Sequence, residues 1–392
     1  MSPRHLRVDD LRLSDGSLVP QIFPSGTDSL GPLIILVNLW SHRLSQTHRY
    51  NTVRSYLFDF MRILACEEIE SVDLVRRLRT GVAVQPNAVA VLIRLMSTTC
   101  HGETVTLATF ERRIASFTSF VEYGFSLFAD LGSVDRSLVK DFEMRAARHL
   151  RFLRRLKIDR EPARGRPTEN LSKATIDAIL ESSRPDSLEA SSRLAIKWRN
   201  YCICLTAFAC WARRAEIALL RVNDVDLTEA AAITIQAGRV GGMERHDGAA
   251  IKSAGRAVPI DARLAMAISV YLELYRPILA RRDNPSAFLF ISSRDGQRLS
   301  VKSINAVFGS LRVALAARGT PSIRIHPHAF RKAAANSFIR SFAGAKDLRE
   351  VIEAMNYLAG WSPTGSMATH YARDAMVERL GHRIRRPDSN VD

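Results

Sequence analysis

Apolar residues recur every three or four positions along most of the chain, separated by short polar breaks, so helices are predicted for most of its length. The pattern begins at about residue 32. In TVRSYLFDFMRIL, Val53, Tyr56, Leu57, Phe60 and Leu64 fall on one helical face, and in TLATFERRIASFTSFVEYG so do Leu107, Phe110, Ile114, Phe117 and Val121. Gly124 is expected to stop the second helix. Both aromatic stripes read as core rather than as platforms for stacked bases. Between them VAVQPNAVAVLIRLM holds another short helix, so residues 31–155 read as an all-helical domain. Residues 1–30, polar with Ser-Asp-Gly and Pro-Ser-Gly turn signals, read as a flexible N-terminal arm.

After residue 170 the texture changes. Ser172 is expected to cap a helix through ATIDAILESS, and further helices are predicted over 191–212, ARLAMAISVYLELYRPIL and INAVFGSLRVALAARG, the last ending at Gly319. AITIQAG (232–238), RAVPI (256–260) and SAFLFIS read as short strands of a small sheet. The fold expected is mainly α with a small β-sheet: a helical N-terminal domain followed by an α+β domain over 171–385 and a short tail over 386–392. The basic segment VERLGHRIRRPDSNVD at the C-terminus reads equally as a frayed end or as an arm that docks on a neighbouring protomer.

Composition narrows the function. The 392 residues carry a net charge of +16, which favours a polyanion as partner, nucleic acid first and an anionic membrane surface second. The longest apolar run, GPLIILVNLW, is too short to cross a bilayer, and the N-terminus lacks the apolar core of a signal peptide. A soluble, cytoplasmic, nucleoid-associated protein is therefore expected. Cys66, Cys100, Cys202, Cys204 and Cys210 show no C-x-x-C spacing and read as free thiols, not as disulfides or a zinc site. The charge is concentrated between the two domains. From 145 to 166, Arg145, Arg148, Arg151, Arg154, Arg155, Lys157, Arg160, Arg164 and Arg166 face only Asp159 and Glu161. The first part is a basic helix. The second, residues 156–170 with Pro162, Gly165 and Pro167, is an extended basic linker, read as a strap along a nucleic-acid backbone.

Other charged islands lie far apart. HPHAFRKAAANSF (326–338) opens an apolar helix with two histidines, an arginine and a lysine, which either hold the loop or face an anion. CWARRAEIALL places Glu216 three residues after Arg213, where it can orient one of the paired arginines. In AAIKSAGRAVPI, Lys252 precedes a turn into a strand, and in LAGWSPTGSMATHYARDAM, Gly360-Trp361 precedes Tyr371.

In this order the islands resemble the tyrosine recombinase (phage integrase) family. A-R-R-A-E-I is similar to its G-x-R-x-x-E-L motif, matching Arg213 and Glu216. Lys252 matches the β-hairpin lysine, His328 and Arg331 the H-x-x-R pair, Gly360-Trp361 the L-G-H or G-W element, and Tyr371 the nucleophile. The resemblance covers roughly residues 170–385, and the helical domain before it looks like the family's core-DNA-binding domain. Three departures stand out. Trp211 replaces a common glycine, the hairpin segment AGRVGGMERHDGAAIK is longer than usual, and Trp361 to Tyr371 is one residue longer than the commonest spacing.

The resemblance implies a site-specific recombinase that cleaves and rejoins DNA through a 3′-phosphotyrosyl link to Tyr371, without ATP. Arg213 and Arg331 would grip the non-bridging oxygens bidentately, and Lys252 would protonate the departing 5′-oxygen. His328 would assist proton transfer or hold a phosphate oxygen. Trp361 would donate its indole N–H or pack beside the phosphate, and Glu216 would support Arg213. Arg151, Arg154, Arg155, Lys157, Arg164, Arg166 and Lys332 would contact the DNA backbone. No cofactor or metal is expected, so activity should persist in EDTA. The implied partners are double-stranded DNA and a homotetramer on two DNA sites, with accessory DNA-bending proteins left open. A DNA-binding regulator of the same fold without turnover, and a type IB topoisomerase-like relaxing enzyme, remain alternatives.

Overall fold

The structure, a computed structural model, describes residues 6–15, 17–24, 31–64, 71–99, 101–130, 139–158, 171, 173–185, 191–241, 247–317, 325–342 and 348–369. The chain forms two compact units, Met1–Pro167 and Thr168–Asp392.

The first unit opens with strands β1 (Leu6–Arg12) and β2 (Leu18–Pro24), followed by helices α1 (Pro32–Thr47), α2 (Tyr50–Leu64), α3 (Ser71–Leu78), α4 (Val89–Ser97), α5 (Leu107–Asp130) and α6 (Val139–Arg154). The expected flexible arm is, over its described residues, a folded hairpin. β1 and β2 pair antiparallel from Leu6 opposite Pro24 to Arg12 opposite Leu18. The physical reason is a side chain from α1. Asn38, buried, accepts the Ile22 N–H at 2.8 Å and donates to the Ile22 carbonyl at 2.9 Å, extending the ladder into the helix. Ser41 donates to the Pro20 carbonyl beside it, and Leu6, Val8, Val19 and Ile22 are buried underneath.

The aromatic stripes of α2 and α5 meet in the core, where Trp40 lies edge-on to Phe120 at 5.6 Å and Phe60 sits 4.4 Å from Phe120. Gly124 does not end α5, which continues six residues further to Asp130. A Cβ there would lie 2.9 Å from Leu78 Cδ1, so the glycine lets α3 and α5 approach closely. On α6, Phe142, Ala146, His149 and Leu153 face inward, leaving Arg145, Arg148, Arg151, Arg154 and, just beyond, Arg155 and Lys157 exposed. Arg154 is engaged by Glu122 at 3.1 Å in an exposed pair that contributes little stability. Arg164 and Arg166 lie outside the described residues.

The second unit contains α7 (Lys173–Ser183), α8 (Ser192–Ala209), α9 (Arg214–Leu219), β3 (Val225–Asp226), β4 (Ala232–Ile235), β5 (Arg256–Pro259), α10 (Ala262–Val270), α11 (Arg276–Leu279), α12 (Val301–Ala317), α13 (Pro327–Ser341) and α14 (Leu348–Ala359). From Tyr201 to Ala207 α8 is buried on every side, with Cys202, Ile203, Cys204, Leu205 and Ala207 all within the core. Burial raises the thiols of Cys204 and Cys210 to about 12, which keeps them protonated and unreactive. Cys66 and Cys100 lie outside the described residues.

The sheet is antiparallel in the order β3-β4-β5. SAFLFIS forms no strand of it, only single bridges from Phe288 to Arg221 and from Ile291 to Arg298. Phe288, Leu289, Phe290 and Ile291 are buried consecutively, so the segment is wrapped on all sides rather than laid along a half-exposed sheet edge. The helix expected over ARLAMAISVYLELYRPIL is interrupted by a π-helical turn at Tyr271–Tyr275, where Pro277 has no N–H to continue the ladder. Ser172 and Gly319 lie outside the described residues. No described helix is long and apolar enough to cross a membrane.

Candidate active site

Arg213 sits at the N-cap of α9, and Glu216 folds back to accept its backbone N–H at 2.9 Å and its Nη1 at 2.9 Å. Glu216 is fully buried and also accepts Ser253 Oγ at 2.6 Å and Arg256 Nη2 at 2.9 Å. Burial pushes the carboxyl's pKa up, but Arg256, Ser253 and the Arg213 N–H outweigh it, so the pKa lies below its ordinary value and the group is ionised. Arg256 in turn donates Nε to the Leu358 carbonyl at 2.9 Å. One carboxylate therefore ties α9 to β5, and through Arg256 to the end of α14.

Arg331, one turn into α13 and almost wholly buried, spans two main-chain oxygens. Its Nη1 donates to Trp211 O and its Nη2 to Ala359 O. Arg213 Nη1 also reaches Ala359 O, at 3.4 Å. The two arginines, 118 positions apart in the sequence, thus meet on one carbonyl oxygen. The Arg331 guanidinium lies 5.4 Å from the Trp361 ring centre. Trp361, partly buried, is fixed by its backbone N–H on the Asn356 carbonyl at 2.9 Å.

The two oxygens are presented by unusual backbone. Trp211 has φ +49°, in the left-handed region, which explains why a glycine suits this position. A tryptophan here costs about 1–3 kcal/mol of strain. Its ring offsets that by burial among Ala334, Ala335, Ile339, Val351, Met355 and Ala359, with Phe338 edge-on at 5.4 Å. Ala368, three residues before Tyr371, is buried in the same cluster. Gly360 has φ +56°, and a Cβ there would lie 2.6 Å from Arg256 Nη1 and 2.8 Å from Ser253 Cβ. Gly360→Ala should therefore cost about 2 kcal/mol or more. The check is the midpoint of urea unfolding, which should fall without a change in slope.

His326 and His328 divide the two readings of the 326–338 stretch between them. His326 is the N-cap of α13, its Nδ1 accepting the Ala329 N–H at 3.2 Å, with Pro327 in the first turn. His328, ring-stacked on His326 at 6.4 Å, faces a cleft of about 570 Å³ that Arg213, Arg214, Arg312 and Arg331 also line. Burial of the ring, then Arg331, His326, Arg213 and Lys332, lowers the His328 pKa, so the imidazole is neutral at pH 7. Lys332 follows on α13, half-buried.

Lys252 is exposed, but its backbone is tethered. Ile251 donates its N–H to Arg239 O at 2.8 Å, and Ser253 is bonded to Glu216. The long hairpin is pinned again at Asp247, whose carboxylate takes buried Arg298 through two bonds of 3.0 Å and the Val301 N–H of α12 at 2.7 Å. Tyr371 lies outside the described residues.

Arg213, His328 and Arg331 thus line one cleft, with Trp361 against Arg331 and Lys252 one residue from Ser253, a Glu216 partner. Sequence reasoning passed over Ser253, Arg256, Asn305 and Arg312. Arg256 alone left a signal. The two-residue period of β5 puts it on the same face as buried Val258.

The profile of the phage integrase family matches residues 169–377. No curated protein matches the chain. Among solved structures, the Tn1549 transposon integrase in complex with circular intermediate DNA is similar at 16% identity and a TM-score of 0.52, over 88% of this chain and 99% of that one. XerA recombinase is similar at 16% identity and a TM-score of 0.39, over 89% of this chain and 98% of that one. XerH recombinase bound to its difH substrate is similar at 14% and 0.42, over 91% and 96%.

Proposed function

Because this chain belongs to the phage integrase family, we propose that it is a site-specific recombinase cutting and resealing duplex DNA through a 3′-phosphotyrosyl intermediate on Tyr371. The observation that carries the reading is the meeting of Arg213 and Arg331 on the Ala359 carbonyl, at the wall of a cationic cleft. In-line attack on a phosphodiester builds negative charge on the two non-bridging oxygens. Preorganised guanidinium groups stabilise that charge without reorganising at the moment of reaction.

The Tyr371 phenol oxygen forms the new bond to phosphorus as the bond to the 5′-oxygen breaks. Neutral His328 takes the phenolic proton or holds a phosphate oxygen, and Lys252 delivers a proton to the departing 5′-oxygen. Resealing runs the same steps backward, and the phosphodiester energy is conserved in the tyrosyl link. Trp361 packs against Arg331 and holds its plane. Arg151 on the exposed face of α6, Arg155 and Lys157 just beyond it, and Lys332 on α13 support backbone contacts to duplex DNA. The shared fold with the Tn1549 integrase, whose structure is a DNA complex, favours the same partner. A homotetramer bridging two sites follows from the family, with helical residues 31–155 and catalytic residues 171–385 as its DNA-binding parts.

The test is a suicide duplex, nicked near the cleavage point and drawn from the DNA flanking the gene. The wild-type chain should become covalently attached. Tyr371→Phe should yield no adduct while binding the same duplex within about twofold. An adduct from Tyr371→Phe removes Tyr371 as nucleophile. Binding without adduct in the wild type points to a regulator, and relaxation of supercoils without a defined site points to a topoisomerase-like enzyme.

A further inference from the structure

The cleft is larger than the two arginines already given a role require. At about 570 Å³ it falls in the range that holds drug-sized molecules, roughly 300–1,000 Å³, which is more room than one phosphate group needs. Its far wall is α12, where Asn305, Gly309 and Arg312 line it at helical spacings of four and three. Arg214, the first residue of α9, faces it from the side of Arg213.

The two sets of cations differ in how they are satisfied. Arg213 is engaged by Glu216, and Arg331 by main-chain carbonyls. Arg214 and Arg312 are exposed and form no ion pair among the described residues. Cations facing one cleft without counter-charge repel one another until an anion enters. Gly309 adds an independent observation. It lies in the middle of α12, where glycine costs roughly 0.5–1 kcal/mol relative to alanine, yet a Cβ there would meet nothing within 4 Å. Packing does not demand the glycine. Its effect is to leave the cleft wall bare at the point midway between Asn305 and Arg312.

We infer that Arg312 and Arg214, on either side of the cleft and with Asn305 beside Gly309, form a second phosphate seat that holds the backbone phosphate next to the one gripped by Arg213 and Arg331. This rests on the recombinase reading for the identity of the polyanion, and it assigns positioning rather than chemistry to the new residues. Two fixed phosphates set the direction of the strand across the cleft, which one phosphate cannot do. The seat contacts backbone only, so it carries no sequence preference of its own.

The experiment measures affinity for a 30-base-pair duplex of random sequence across a salt series, by fluorescence anisotropy. It uses the full chain carrying Tyr371→Phe, so no covalent step contributes. Arg312→Ala and Arg214→Ala should each lower the slope of log K against log salt by about 0.9, the value of one lost phosphate contact. Gly309→Leu should weaken binding while leaving thermal stability equal or higher, because leucine favours the helix and fills only the cleft. Gly309→Ala, with its small side chain in open space, should bind more tightly than Gly309→Leu.

Unchanged slopes in both arginine variants would overturn the proposal. So would weaker binding of the random-sequence duplex at constant slope, which would mean that no phosphate contact was lost. The slope is read independently of adduct formation, so the seat can stand if Tyr371 proves the wrong nucleophile, and can fall while the suicide duplex still traps the enzyme.

Discussion

Arg331→Lys is expected to lower the rate of covalent adduct formation on a nicked duplex roughly 10²–10³-fold, the usual cost of removing one preorganised donor from a developing oxyanion. The positive charge survives the substitution, so the argument is about shape. Arg331 uses two separate nitrogens to bond Trp211 O and Ala359 O, and its plane lies beside the Trp361 ring. A guanidinium fixed in this way lines the cleft in a defined plane. An ammonium is a compact point charge that can reach only one of these two partners at a time and has no plane to stack beside the Trp361 ring. Single-turnover adduct yield against time checks the prediction, with affinity for the duplex as control. Affinity should change far less than rate, because the charge facing the DNA is kept. Equal losses in rate and affinity would mean that Arg331 contributes general attraction rather than transition-state geometry.

Glu216→Ala should be strongly destabilising to the second unit, at about 3–5 kcal/mol, the range for breaking a buried ion pair by removing one partner. It leaves Arg256, whose side chain is 0% exposed, without its carboxylate, and frees Arg213 from α9. For a unit of this size the loss corresponds to a fall in Tm of roughly 10 °C. Glu216→Gln separates charge from hydrogen bonding through its pH dependence. The carboxyl's folded pKa is held below its ordinary value, chiefly by Arg256 against the opposing effect of burial. Its stabilisation is therefore complete above the unfolded carboxylate value, about 4.3, and lost as pH falls through the depressed folded value. The wild type should lose stability in that acid window. Glu216→Gln, already lower at neutral pH, should be flatter there. A wild-type curve parallel to that of the variant would show that the buried carboxylate is not ionised.

Much of the architecture was legible in local pattern. The amphipathic repeats of α2 and α5 marked the N-terminal core, because burying one face of a helix requires apolar residues at its own period. Misreadings arose where a distant side chain decided. Gly124 looked like a stop in isolation, but Leu78, far away in sequence, needs the space a Cβ would fill. Residues 1–30 looked like an arm, since nothing local reveals that Asn38 will complete the ladder of β1 and β2 from a helix. SAFLFIS looked like a strand, though its apolar run meets burial on every side.

The chemistry divides in the same way. Sequence by itself determined which residue types are available and in what order, two arginines, a lysine, a histidine, a tryptophan and a tyrosine, because functional-group chemistry and motif spacing are local properties. Only the tertiary structure decided that Arg213 and Arg331 share the Ala359 carbonyl, that Glu216 and Arg256 lock the segments carrying them, and that α12 closes the cleft with Arg312. Those relations join residues up to 146 positions apart. They come from burial and hydrogen bonding that form only when the whole unit packs, so no local spacing could encode them.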